Sequence, residues 1–250
     1  MADTQSVNFK IHSLNTVRRA ELKQALVVRG GWDGHQPIET TQVFIPFLES
    51  NGFKVRVEES SKIYADADFM AQVDLIQQTN TMNVIEKDEL EGLQNAIING
   101  TGFGGWHGGI ADSYRNSSDY LQMLGGQFAN HPGKAPEERI GEQSDNYVPF
   151  TINITEQGKS HPITAGLEDF SLVTEQYWVL HDDYNDVLAT TTQKVRPWDP
   201  WNREVTSPAI WTRNWGKGKI FVTTCGHNLE VVLDKNVRTI IERGLLWASR

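Results

Sequence analysis

Two stretches of this chain are built to the same plan. "QALVVRGG" is a short apolar run closed by Gly30 and Gly31; the segment after it, "QPIETTQVFIPFLESNG", ends in Asn51-Gly52, and "FKVRVEES" then alternates as a strand does. "VDLIQQT", "EKDELEGLQNAIING" (ending in Asn99-Gly100) and "TGFGGW" repeat the cycle. A short apolar run closed by glycine is the pattern of a buried parallel strand. Asn-Gly stops a helix because both residues tolerate the left-handed conformation. Strand, helix and strand at this spacing need right-handed crossovers, so the pattern predicts an α/β fold with a mainly parallel sheet flanked by helices. The first helical segment carries Val43, Phe44, Phe47 and Leu48 on one face, and Pro46 inside it predicts a kink or a split. In the second, Leu90, Leu93, Ala96 and Ile97 face inward.

From Ile110 to about Thr192 the rhythm loosens. "DSYRNSSDYLQMLGG" reads as a short helix and "VPFTINIT" as a strand, with the Gly-, Pro- and charge-rich "NHPGKAPEERIGEQSDN" between them as a loop. "PAIWTRNWGKGKIFVTTCGH" is a hairpin about a "GKGK" turn, and "NVRTIIERGLLWASR" an amphipathic closing helix. No linker divides the chain. The reading is an N-terminal arm over 1–23 and a single domain over 24–250.

The totals restrict the function classes. A net charge of −9, from 23 basic against 32 acidic side chains, lacks the basic surface that nucleic acid requires. The one cysteine excludes an intrachain disulfide framework and a Cys-based zinc site. "MADTQSVNFKIHSLNTVRRA" has no signal-peptide core, and no stretch approaches the ~18 apolar residues of a membrane span. The expectation is a cytoplasmic protein that binds neither membrane nor nucleic acid, with a homo-oligomer left open.

Ligands of parallel α/β sheets sit beyond the carboxyl ends of the strands. Three histidines follow an apolar run and a glycine at such ends: His35 in "GGWDGHQ", His107 in "GGWHGG" and His227 in "TTCGHN". Glycines beside them, Gly108 among these, let backbone N–H groups approach an oxygen-rich ligand. Trp32 and Trp106, each next to glycine in these loops, are candidates to stack on a sugar ring. Trp211, Trp215 and Trp247 read as core or hairpin packing. In "TEQYWVL", Glu175 and Tyr177 share a face if the segment is extended, a pairing that suits a carbohydrate and equally a half-exposed strand edge. His131 and His161 lie in "HP" dipeptides, where turn formation suffices as a reason. His181 in "LHDDYND" reads as a solvated acidic turn. Cys225 reads as core, since a free cysteine behaves as a small buried hydrophobe. There is no Walker loop, no GxGxxG opening a helix, no HExxH helix and no GxSxG elbow, so no nucleotide cofactor is expected.

Taken together, "GWHGGIADSYRNSSDYLQMLGGQFANHPG", "HPITAGLEDF", "TEQYWVL" and "PAIWTRNWGKGKIFVTTCGHN…RGLLWA" resemble the trehalose-utilisation (ThuA-like) family, in order, from about Gln24 to the C-terminus. That family is similar in fold to class I glutamine amidotransferases, a flavodoxin-like doubly wound sheet. The resemblance implies that "GWHGG" occupies the amidotransferase elbow with His107 in the place of the cysteine, so glutaminase activity is not expected. It further implies an enzyme of sugar catabolism acting on an oxidised (3-keto) sugar or glycoside. A ketone at C3 acidifies the C2 proton, and His107 or His227 as base would start elimination of the C1 substituent. His35, His107 and His227 are the candidate ligands of a divalent, zinc-like metal that some relatives imply. Trp32, His35, Trp106, Gly108, Glu175 and Tyr177 are the candidate substrate contacts. The rivals are a silent sugar-binding or regulatory protein and a metal-dependent hydrolase of other substrates.

Overall fold

The computed structural model describes residues 22–250. The expected arm over 1–23 thus lies outside the described residues except for Leu22 and Lys23, and Lys23 already opens the first strand.

The chain runs β1 (Lys23–Gly31), α1 (Pro37–Gln42), α2 (Ile45–Ser50), β2 (Phe53–Glu58), α3 (Ala67–Met70), β3 (Leu75–Thr81), α4 (Lys87–Ile98) and β4 (Gly102–Trp106). Pro46 does split the first helix: α1 ends at Gln42 and α2 restarts with the proline in its first turn. There its missing N–H costs nothing. Then follow α5 (Gly108–Ala111), α6 (Ser118–Leu124), β5 (Gly126–Asn130), β6 (Tyr147–Ile154), α7 (Glu156–Ser160), β7 (Phe170–Glu175), β8 (Trp178–His181), β9 (Asp186–Gln193), β10 (Val205–Trp215), β11 (Gly218–Thr223), α8 (Leu229–Val232) and α9 (Lys235–Ala248).

One sheet of nine strands has the order β2-β1-β3-β4-β11-β10-β9-β6-β7. Its first five strands are parallel, in the 2-1-3-4-5 order of flavodoxin-like folds. The "GKGK" hairpin is β10–β11, closed at Trp215↔Gly218, so the fifth parallel strand is the returning arm of a hairpin. Beyond it β10, β9, β6 and β7 extend the sheet in antiparallel fashion. A two-stranded ribbon, β5–β8, is separate.

Helices cover both faces. On one, Phe44 and Leu48 of the split helix and Val237, Ile240 and Ile241 of α9 pack on Ala25, Val27 and Phe221. On the other, Leu93 and Ile97 of α4 join Ile110, Tyr114 and Tyr120 over Leu26, Ile76 and Phe103. Each fully buried Leu or Ile contributes roughly 1.5–3 kcal/mol against exposure. Among the described residues no helix is long and apolar enough to cross a membrane.

One expected substrate contact is corrected here. Trp106 is 1% exposed and belongs to the first of these clusters, tilted against Phe44 at 4.9 Å between ring centroids. As the last residue of β4 it points opposite to the site, and a Cβ on Gly226 would run into its ring. The glycine next to it serves the packing of this indole, not a sugar.

Candidate metal and substrate site

The carboxyl ends of β1, β4 and β11 lie along one edge of the sheet, with β3 between β1 and β4, and each delivers one of the three predicted histidines. His35 ends a 3₁₀ turn directly after β1. His107 follows β4 and begins α5 with φ 49° and ψ −142°, a conformation strained for any residue with a Cβ. Two hydrogen bonds impose it: the His107 N–H donates to Thr223 O (2.7 Å) and its C=O accepts from Ala111 N–H (2.9 Å). Gly108 is required next, because a Cβ there would lie 3.0 Å from the Tyr177 hydroxyl and closer still to the His35 ring. His227 follows Gly226 (φ 135°) and precedes Asn228, whose side chain caps α8.

Glu175, at the end of β7, meets all three. Its Oε2 lies 3.0 Å from His107 Nε2, 2.9 Å from His227 Nδ1 and 3.9 Å from His35 Nε2. His107 Nε2 and His227 Nδ1 are 3.2 Å apart. One donor atom from each of the four residues falls within 4.8 Å of every other, and all four side chains are buried. Glu175, expected as a substrate contact, stands within reach of all three histidines, where it could be a fourth ligand of a metal ion. Tyr177 lies against His107 at 4.2 Å between ring centroids, in the same cleft.

The outer nitrogens decide what the inner ones carry. His107 Nδ1–H donates to the Thr224 carbonyl at 2.7 Å, and His35 Nδ1 is 2.8 Å from Thr81 Oγ1. The Gln143 amide stands 2.6 Å from His227 Nε2, and turned by a flip its oxygen accepts that N–H. With the outer positions protonated, three imidazole lone pairs converge on a carboxylate. Desolvation drives His107 down to about 3, and His35 also falls through burial, so neither supplies the missing positive charge as imidazolium. Burial works against ionising Glu175, and the histidines would hold it below the usual carboxylate range only with protons on their inner nitrogens, which the outer bonds draw away. Lone pairs facing an anion in a dry site call for a cation.

The donor set fits one. Ligands at about 2.0–2.1 Å from a tetrahedral centre stand about 3.3 Å apart; the three Glu175 pairs and His107–His227 span 2.9–3.9 Å, and the whole set lies within 4.8 Å. Three imidazoles and one carboxylate are zinc-like chemistry, and each imidazole is oriented through its outer nitrogen, by the Thr224 carbonyl, the Thr81 hydroxyl or the Gln143 amide, as ligating histidines usually are.

Above the cluster is a cavity of about 340 Å³, lined by Trp32, Met82, Asp112, Arg115, His131 and Tyr177 among others. That lies at the small end of small-molecule sites. Trp32 is 40% exposed and edge-on to His35, with its ring open to the cavity. Asp112 is buried in an ion pair with Arg115 (Nη2–Oδ2 2.7 Å). Sequence reasoning missed His131, whose Nε2 is 3.5 Å from Glu175 Oε2, and Gln143. The "HP" dipeptide explained His131 locally, and nothing local ties Gln143 to His227. Cys225 is core as expected, its thiol pushed up to about 12 by burial.

Fold and site define a flavodoxin-like α/β protein with an imidazole at the strand-to-helix elbow and a four-donor cluster at the carboxyl edge of its sheet. The chain belongs to the trehalose-utilisation (ThuA) family, whose model matches residues 24–248. Among solved structures it is similar to a ThuA-like protein from Bacteroides uniformis (16% identity, TM-score 0.65, covering 98% of this chain and 95% of that one). A ThuA-like protein from Parabacteroides merdae is similar too (16%, 0.66, 91% and 90%), as is the cytoplasmic protein STM1381 from Salmonella typhimurium (14%, 0.58, 91% and 100%). At such identities the likeness shows the fold alone. No curated protein sequence matches the chain.

Proposed function

We propose that this chain is a metal-dependent enzyme of carbohydrate utilisation acting on an oxidised (3-keto) sugar or glycoside. The observation that carries the reading is the convergence of four buried donors, with the outer nitrogens of the histidines held by the Thr81 hydroxyl, the Thr224 carbonyl and the Gln143 amide. His35, His107, His227 and Glu175 would hold the ion. A divalent ion bound there supplies Lewis acidity toward a carbonyl oxygen of the substrate.

This assignment moves the base. His107 spends Nδ1 on Thr224 and Nε2 on the cluster, and at about 3 its basicity is far from the neutral range where a general base works best. His131 is the better candidate. It lines the cavity outside the four-donor cluster, its Nδ1 faces the Gln176 carbonyl at 3.4 Å, and its Nε2 stands 3.5 Å from Glu175 Oε2, between cluster and cavity, with burial lowering it as well. In this reading His131 takes the C2 proton, the electron pair forms the C1–C2 double bond, and the bond from C1 to the glycosidic oxygen breaks. The leaving oxygen then collects a proton. Trp32 offers its ring to the sugar face, while Asp112 and Arg115 address hydroxyls. Water is kept from the cluster by Tyr177 and by the Gln143 loop. A cytoplasmic location follows by analogy with the Salmonella protein.

The test joins metal content to turnover. Protein purified without chelator or His-tag should carry about one divalent ion per chain and release the alcohol from a 3-keto-glycoside. Chelation should stop that release and added zinc should restore it. Full metal occupancy with no release from any 3-keto-glycoside would sink the reading.

A further inference from the structure

β6 and β9 are neighbours in the sheet, yet only Asn153↔Thr190 and Ile154↔Ala189 pair. Toward the Glu175 end they part. β6 keeps β7 as its partner as far as Tyr147↔Glu175, and β9 keeps β10 as far as Gln193↔Val205, with no ladder joining β6 to β9. The sheet is split there, and the split opens into a chamber of about 820 Å³.

The walls of this chamber are selective. Tyr147 and Phe150 line the β6 side, Gln193 the β9 side, and Trp198 (39% exposed) stands over it. Most buried polar groups around it have partners: Gln176 Nε2 donates to Thr191 Oγ1 at 2.7 Å, and Arg196 pairs with Asp199 at 2.7 Å. Gln193 is the exception. It is 2% exposed, and neither its Nε2 nor its Oε1 has any partner. A buried amide with both ends unmatched is strongly disfavoured unless a ligand supplies an acceptor and a donor at once. A hydroxyl-bearing ring does that, and its C–H face suits flat aromatic walls.

The chamber also adjoins the metal cluster. Tyr147, one of its walls, packs edge-on to His227 at 5.2 Å, and Gln176 on its lining sits between Glu175 and Tyr177. A cleft of about 520 Å³ shares His131 and Asn146 with the cavity over the cluster, and Gly133 and Trp198 with the chamber.

We propose that the chamber between β6 and β9 is a second carbohydrate subsite, read by the Gln193 amide. This rests on the reading of a sugar-handling centre.

Binding and turnover test it separately. By saturation-transfer NMR, α,α-trehalose should bind the wild type and the metal-site variant His107→Ala alike, and lose at least tenfold in affinity in Gln193→Leu. Trp198→Ala, at an exposed position that leaves the fold alone, should weaken it too. In turnover, Gln193→Leu should raise KM for a two-ring 3-keto-glycoside and leave KM for methyl 3-keto-glucoside unchanged. Trehalose bound with undiminished affinity in both chamber variants, or no sugar bound while inorganic phosphate is, overturns the subsite. If the wild type turns over no keto-glycoside, the proposed reaction falls, and the Gln193-dependent binding still decides this inference.

Discussion

Glu175 Oε2 stands 3.0 Å from Nε2 of His107, whose other nitrogen gives its proton to the Thr224 carbonyl. An anion thus faces a lone pair in a site with almost no water. The pair is stable only with a cation between its members, and removing the negative charge should act oppositely with and without metal.

For Glu175→Gln we therefore expect a higher Tm than wild type in chelator-treated protein and a lower Tm in metal-loaded protein. Breaking a buried charge arrangement by removing one partner typically costs about 3–5 kcal/mol. Calorimetry of the four samples checks this. A shift of the same sign in both states would show that the carboxylate is not a ligand.

Burial lowers the His107 value in the fold, from 6.5 to about 3. A lowered value means that the unfolded state binds more protons, so stability falls as pH falls. For metal-free protein the loss from His107 should begin near pH 6.5 and continue to about 3. Above pH 7 it contributes no slope. Denaturant midpoints between pH 4 and 8 measure it, and a midpoint constant down to pH 4 would contradict neutral His107.

His131→Ala should lower kcat on a 3-keto-glycoside by about 10²–10⁴-fold with metal content unchanged, the signature of a lost base. His107→Ala should lose the metal itself. If the two variants behave alike, the division of roles is wrong.

The two loop tryptophans separate in the same way. Trp106→Ala should cost about 3–5 kcal/mol of stability, as large core truncations do. Trp32→Ala, with a half-open ring, should leave the denaturant midpoint nearly unchanged and raise KM.

Cys225 should resist thiol reagents until the protein unfolds, since a buried thiol at about 12 carries almost no thiolate at neutral pH. Incubation with glutamine should release no ammonia. A rate abolished by Cys225→Ala would restore the thiol as a nucleophile.

The strand–helix cycles, the split at Pro46 and the "GKGK" hairpin were legible in the sequence because each is written within one or two turns of chain: apolar periodicity, Asn-Gly stops, a missing N–H. His35, His107 and His227 were legible for the same reason, each announced by glycine at a strand end. Glu175 and Tyr177 were legible as a pair on one strand face; that the carboxylate meets the histidines, and that Gln143 joins them, comes from far along the chain. Glu175 is 68 residues from His107, and Gln143 is 84 from His227. Both belong to the antiparallel extension and its loops, where no local pattern says which strand ends will fold over which. Burial likewise separated two tryptophans with the same glycine neighbours, because the face of the strand to which each points decides between core and cleft. Local chemistry is carried by the chain itself, while long-range pairing, burial and the net charge of a dry cluster exist only once the sheet has closed around them.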